Sequence, residues 1–511
     1  MKKISHLARI SLLLAVFFGL DKGLAIIRQV IIARQFGLSA ELDAFNAANN
    51  LPDMLFALIS GGALAIAFIP VLSEYLTKQG RPAAWELFSR IANLALLVTA
   101  GFSVVIAVLA EPLVRWQLGI APGFSLAQQQ LVAELMRLNL IATLIFSISG
   151  LVMAGLQANQ HFLLPAIAPL LYNLGQIFGA VVLAPDQGIR LGAITLPAFG
   201  LGIHGLVYGV ILGAILHLGI QIPGLIRYQF RWRPSLGLNT PGVGQVLRLL
   251  GPRLLTMLFI QIIFVARDNL ASRLPSGAVT ALTYGWVIMQ VPETLVGTAV
   301  GTALLPTLSE LATMGKWAEF RATIQKAFQV LLAITIPIAV LLSMAIRPLI
   351  GVAFGLDPEG TQLVTQVTQI YLFGIIAHSL IEVASRSFYA QQEARLPLLA
   401  SALNAVAYIL LAVLLLNPMG ASGIALANTL SFTGELLLLV FLLERRMRGH
   451  FQVGGTLLRT VIGSLVAGGV FYGLAFFLPV ADVYLAVAGL AVGAAIILPF
   501  IWKEMRLLFQ L

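Results

Sequence analysis

Ala67-Phe68-Ile69-Pro70-Val71-Leu72-Ser73-Glu74 and Ala303-Leu304-Leu305-Pro306-Thr307-Leu308-Ser309-Glu310 are two versions of one octapeptide. In both, an apolar helix closes on Pro-x-Leu-Ser-Glu and a basic loop follows. Each is preceded by a Gly/Ala-rich stretch, Gly61-Gly62-Ala63 or Gly297 to Gly301. A few turns earlier each has a proline followed by an acid, Pro52-Asp53 and Pro292-Glu293. Downstream the order holds. Gln157-Ala158-Asn159-Gln160 precedes Pro165 and Asn173, and Ala390-Gln391-Gln392 precedes Pro397 and Asn404. Gly202-Ile203-His204-Gly205-Leu206 is then matched by Gly420-Ala421-Ser422-Gly423-Ile424. Chance matches of Leu, Ala and Gly are frequent between apolar helices, but three in the same order indicate a duplication.

What is duplicated is a membrane bundle. The 511 residues are 59% hydrophobic and 10% charged, against about 25% charged in a soluble domain. Such a chain cannot cover a water-facing surface, which excludes soluble enzymes, nucleic-acid binders and disordered regulators. The net charge of +10 fits the Lys/Arg surplus of cytoplasmic loops better than a nucleic-acid footprint. With no cysteine, disulfides, thiolate metal sites and Cys nucleophiles are excluded. The six His form no metal-ligating pair, and Gly297–Gly301 lacks the GK[ST] ending of a phosphate-binding loop. No catalytic residue, metal or cofactor is expected.

A spanning helix needs about 20 mostly apolar residues. Fourteen segments qualify: 8–34, 44–71, 87–110, 128–155, 162–184, 199–226, 244–272, 278–311, 323–346, 361–390, 396–416, 421–443, 456–478 and 482–502. Basic residues test that count. Lys2, Lys3, Arg9, Lys503 and Arg506 share a side with Lys78, Arg81, Arg90, Arg227, Arg231, Arg233 and Arg248. Lys316, Arg321, Lys326, Arg395, Arg445, Arg446, Arg448 and Arg459 continue that side. The alternate loops carry mainly Arg115, Arg190, Arg273 and Arg347. The asymmetry puts both termini in the cytoplasm, with an uncleaved first helix. The expected architecture is an all-α polytopic membrane protein. Its two parallel six-helix lobes are residues 1–230 and 240–448, and two extra helices lie within 452–511. Repeats of this kind place substrate at the repeat interface and move by rocking of the lobes. Gly205, Gly209 and Gly213, Gly469 and Gly473, and Gly489 and Gly493 are spaced for close helix packing.

An ionisable residue at the centre of a spanning helix costs about 2.5–3.5 kcal/mol on insertion scales, so those that remain should face a cavity or a partner. The first helix carries Asp21, Lys22, Arg28 and Arg34; Asp43 and Asp53 follow in the second. Arg267-Asp268, Glu293, Glu382 with Arg386, and Glu435 lie in later segments. Arg267 is expected near an outer end, snorkelling to headgroups. Glu382 and Arg386 are spaced to pair on one helix. Arg28 has no acid three or four residues away, so it needs one from another helix, such as Asp43, or an anionic ligand. Lys22, Arg28 and Asp43 are the candidate substrate-binding residues. Arg34, Asp53, Arg267, Glu293 and Glu435 are candidates for the cavity or for ion coupling. A cationic cavity suits a phosphorylated headgroup, and the two extra helices could form a groove for its lipid tail.

Ile27-Arg28-Gln29-Val30-Ile31-Ile32-Ala33-Arg34-Gln35-Phe36-Gly37, Asp43-Ala44-Phe45, Leu51-Pro52 and Ala67-Phe68-Ile69-Pro70 resemble the MurJ/MviN family of lipid II flippases, in the MOP exporter superfamily. Gly301 to Ser309 and Phe388-Tyr389-Ala390 continue the resemblance, which covers nearly the whole chain. It implies a flippase, not an enzyme, that carries an undecaprenyl-pyrophosphate-linked peptidoglycan precursor across the bacterial cytoplasmic membrane by alternating access. The family's first-helix arginines map to Lys22 and Arg28, and its acid at the start of the second helix maps to Asp43. Two cavity arginines of well-studied members have no counterpart: Phe56-Ala57 and Val287 stand there. Three alternatives stay open: an exporter of another polyprenyl-linked oligosaccharide, a cation-coupled multidrug antiporter and an inactive scaffold. The partners implied are the lipid-linked saccharide, membrane lipid and a coupling ion, with no nucleic acid.

Overall fold

The computed structural model describes residues 6–60, 62–188, 190–191, 194–238, 240–477 and 482–508. Lys2, Lys3 and Gly61 lie outside the described residues. Apart from a hairpin pairing Arg190 with Thr195 and Leu191 with Ile194, regular structure among the described residues is helical. Helix α1 is His6–Phe36. Helix α2 is assembled from Ala40–Ala48, Asn50–Leu55, a π-turn at Phe56–Ser60, and Gly62–Lys78. Then come α3 (Arg81–Val108), α4 (Leu126–Ala158), α5 (Leu163–Phe178, ending in a π-turn), α6 (Ile203–Gly219) and α7 (Pro241–Ala271). Helix α8 joins Ala278–Glu293 to Ala299–Thr313 through a π-turn at Thr294–Thr298, and is followed by α9 (Trp317–Phe354) and α10 (Pro358–Ala390). Arg395–Met447 is two helices, α11 and α12, meeting at Gly420. Gly454–Phe477 is α13 and Asp482–Leu508 is α14.

Helix covers most of each of the fourteen apolar segments among the described residues. Among the described residues, eleven helices are long and apolar enough to cross a membrane. Arg395–Met447 counts once among them, and the pieces of α2 are too short to count. Pro52 and Pro292 explain two of the interruptions. Each removes a backbone donor and crowds the carbonyl one turn back, and within a turn the chain widens into a π-turn.

The duplication is visible in the backbone. Positive φ is uncommon outside glycine, yet here it recurs at equivalent places. Gln160 (φ 60°) follows α4 and Gln392 (φ 58°) follows α10; Gln229 (φ 56°) lies beyond α6 and Arg448 (φ 50°) beyond α12. Gly202 enters α6 at φ 53°, ψ −134°, and Gly420 enters α12 at φ 56°, ψ −134°. Only glycine adopts such a conformation without strain.

The chain forms two compact units, Met1–Arg273 and Leu274–Leu511. In the first, Phe68 and Leu72 of α2, Trp85 and Phe88 of α3 and Leu151 of α4 share one core with Val243, Val246 and Leu250 of α7. By sequence α7 opens the second repeat; by packing it belongs to the first unit. The polar connection before it is a strap fixed to α3. Trp85 Nε1 donates to the Tyr228 carbonyl (3.0 Å), and Asn93 Nδ2 donates to the carbonyls of Arg233 (2.7 Å) and Ser235 (3.0 Å). Phe230 stacks edge-on against Trp85 and Phe88. In the second unit, Leu304 and Leu308 of α8, Phe320 and Phe328 of α9, Phe388 of α10 and Leu443 of α12 form the core. A second cluster docks α13 (Ala467, Phe471) and α14 (Ile497, Ile501) on Leu341 and Ala345 of α9.

The glycine spacings divide on inspection. A Cβ at Gly179 would lie 2.6 Å from the Gly209 Cα, and one at Gly175 would lie 2.4 Å from the Gly213 Cα. The α5 and α6 backbones therefore touch. Gly489 and Gly493 instead receive the side chains of Phe471 and Leu341, and Gly469 and Gly473 have nothing within 4 Å. Gly209→Leu is expected to destabilise the purified protein by about 3 kcal/mol through overpacking. Gly469→Ala should be neutral or stabilising by up to about 1 kcal/mol. Thermal unfolding in detergent checks both.

Candidate substrate and coupling sites

Asp21 and Arg28 are seven residues apart, close to two turns of helix, so they share one face of α1. Asn173 of α5 lies between them. Its Oδ1 accepts from the Arg28 guanidinium (2.9 Å), and its Nδ2 donates to the Asp21 carboxylate (2.8 Å). Asp53 and Tyr172 are also within electrostatic reach of Arg28. Lys22, half-buried, adds its charge through its neighbour Asp21. The group therefore holds two cations and two carboxylates.

Asp43 is buried, 1% exposed, in the first turn of Ala40–Ala48. It is not the partner of Arg28: that role belongs to Asn173, backed by Asp21. Seven-residue spacing carries the signal for Asp21. For Asn173 the signal is its place in the repeat, equivalent to that of Asn404.

Beside Arg28 the wall is aromatic. Phe146 of α4 packs against Phe56 (5.2 Å between ring centres), Tyr172 (5.0 Å) and His217 of α6 (5.3 Å). His217 is tied in turn to Ser149, 2.6 Å from its Nδ1, and to Gln221. Phe56 occupies one of the positions at which the resemblance leads one to expect a cation. Its π-turn faces a ring here, which offers a cation no anionic partner.

The remaining candidates are distributed. Arg34 is exposed in the last turn of α1. Arg267 does not snorkel: it is 9% exposed, and its Nε donates to the fully buried Asp268 (2.6 Å). Asn50 of α2 donates to the other Asp268 oxygen (2.6 Å). A carboxylate at zero exposure needs such partners, and they hold Arg267 inward. In the second unit, Glu435 of α12 accepts from Ser401 (2.8 Å) and Asn404 (2.7 Å) of α11. Glu293 accepts from Thr298 (3.2 Å), and Glu382 pairs with Arg386 as their spacing predicts. Val287 is half-buried on α8 beside Trp286, whose ring meets Tyr371 and His378.

Apolar helices in two repeats, with charges matched inside them, define a multi-pass membrane protein. A family model described as lipid II flippase MurJ matches residues 32–488, and the chain belongs to that family. It is 29% identical over 403 residues to the lipid II flippase MurJ of Burkholderia cenocepacia, covering 77% of this chain and 75% of that protein. It is 30% identical over 434 residues to a probable lipid II flippase MurJ of Rhizobium meliloti, covering 83% and 78%. Its fold is similar to a solved lipid II flippase MurJ in an inward closed conformation, with TM-score 0.79, 21% identity, and 98% and 100% of the two chains covered. It is also similar to an inward-facing multidrug resistance MATE family transporter of the MOP superfamily, with TM-score 0.68, 14% identity, and 84% and 94% covered.

Asn173→Leu removes both hydrogen bonds and leaves Asp21 and Arg28 without their bridge. The expected loss is about 1–3 kcal/mol for each stranded group. Asn173→Gln, which keeps the amide, should lose less. Unfolding temperatures of the two variants compare them directly.

Proposed function

We infer that this chain moves lipid II, an undecaprenyl-pyrophosphate-linked saccharide, from the inner to the outer leaflet of the bacterial cytoplasmic membrane by alternating access. Family membership supports the substrate, and the observation that carries the reading is the seating of Arg28. Asn173 takes one N–H of its guanidinium, and a guanidinium has five. The others are free to meet pyrophosphate oxygens through charge-assisted bonds. Lys22 adds a second positive charge, and Asp43 is assigned to the same substrate site. Asp21 and Asp53 balance these cations while no anionic substrate is bound. The tail stays in lipid, where α13 exposes Leu458, Leu465 and Tyr472 to it. The repeats 1–230 and 240–448 act as the moving lobes. The Arg- and Lys-rich connections supply the orientation, with both chain ends on the cytoplasmic side.

A second reading keeps the mechanism and changes the saccharide. Phe56, Ala57 and Val287 favour it, because they leave fewer cations than the family resemblance implies.

The test is translocation of lipid II by the purified protein in proteoliposomes, beside a polyprenyl lipid of unlike headgroup. Arg28→Ala should lower lipid II affinity roughly ten- to hundredfold, the worth of one charge-assisted contact at about 1.5–3 kcal/mol. Arg28→Lys should recover part of it. Equal handling of both lipids would reject lipid II as the specific cargo.

A further inference from the structure

We propose that Glu293, Glu382 and Arg386 form a binding site for one exchangeable monovalent cation, a proton or a sodium ion, within the second unit. The proposal does not rest on the identity of the cargo. Helices α8 and α10 touch along two glycines. A Cβ at Gly297 would lie 2.6 Å from the Ser379 Cα, and one at Gly301 would lie 2.3 Å from an Arg386 nitrogen. On this seam Glu382 and Arg386 pair across one turn of α10. Glu293 comes from α8, and the charged groups that act on it are Glu382 and Arg386, one repelling and one attracting. The cluster thus has two carboxylates and one guanidinium, and Arg386 is already committed to Glu382.

One carboxylate is therefore left over inside membrane-spanning helices, where an uncompensated charge is costly. Its surroundings supply oxygen atoms rather than a second cation. The π-turn brings Thr298, five residues on, over Glu293, where its hydroxyl lies within reach of both carboxylate oxygens (3.2 and 3.4 Å), and the Thr294 hydroxyl bonds the same carboxylate. Ser379, one turn before Glu382, is fully buried, and its hydroxyl has no hydrogen-bond partner. That hydroxyl faces Gly297, on the stretch of α8 between Glu293 and Gly301, 2.7 Å from where a Cβ would stand. Carboxylate and hydroxyl oxygens with one negative charge in excess suit a hard monovalent ion or a proton. Both carboxylates lie around one guanidinium, so the site belongs to the cluster rather than to Glu293 alone.

Thermal unfolding of the full-length protein in detergent tests this. Sodium chloride is titrated against choline chloride at constant ionic strength, and the series is repeated across pH. A ligand bound to the folded state raises its unfolding temperature in a saturable way. Glu293→Gln and Glu382→Gln each restore charge balance, so each should abolish the response. Loss of a sodium-dependent shift identifies sodium; loss of a pH-dependent shift without a sodium effect identifies the proton. Two independent variants keep the result readable if one fails to fold. Arg28→Ala, outside the cluster, should keep the cation response even if it loses lipid II binding, so the two readings can fail separately. A wild-type protein with neither response, or Gln variants that retain the full wild-type response, would overturn the proposal.

Discussion

A charge inside an apolar helix has to be matched, and in this protein the matching group is repeatedly a neutral amide. Asn173 holds Asp21, Asn50 holds Asp268, and Asn404 holds Glu435, in each case from another helix. An amide both donates and accepts. Asn173 can therefore stand between a carboxylate and a guanidinium without either consuming the other. A direct Asp–Arg fork would occupy two N–H groups of the arginine with one carboxylate. Through the amide, Arg28 spends one N–H on the protein and keeps its charge in place. The same bond fixes α1 to α5, so the element that orients the cation is also one that packs the first unit.

The duplication supplies the frame for these bonds. Asn173 and Asn404 follow equivalent prolines, Pro165 and Pro397, and each holds an acid. The acids are not equivalent: Asp21 lies on α1 and Glu435 on α12. The asparagine is thus kept in both repeats while its partner has moved to a different helix. The Gly202 and Gly420 conformations, nearly identical in φ and ψ, show that the backbone path has diverged less than the side chains it carries.

Much of the fold was legible because it rests on local signals. Apolar runs of spanning length, Pro-x-Leu-Ser-Glu and the Gly205, Gly209 and Gly213 series each act over a few residues, whereas the Gly469 and Gly473 spacing marks no contact. The i, i+4 spacing of Glu382 and Arg386 is equally local, and the pair forms. The site was legible only in part, because its key contacts join distant stretches. Nothing near Arg28 in the chain announces Asn173, 145 residues away. Arg267 was misplaced for a related reason: adjacency to Asp268 suggested a surface pair, whereas Asn50 of α2 makes a buried site for that acid. The packing of α7 was hidden too, since Val243, Val246 and Leu250 are apolar residues whose partners only the tertiary fold defines.

The thinner positive charge has a physical counterpart. Phe56, where the resemblance implies a cation, packs edge-on against Phe146, which also carries Tyr172 and His217. An arginine there would exchange that ring contact for a charge needing a new partner. Asp53, three residues earlier, already acts on Arg28. The group around Arg28 thus reaches balance with Lys22 and Arg28 against Asp21 and Asp53. A balanced group attracts an anion less strongly at a distance than a cationic one. As the proposed substrate site, it would also release that anion more readily, because Asp21 and Asp53 remain at hand to re-form the empty state. For a transporter, which must let go of what it binds, fewer cations set against standing carboxylates is a workable solution.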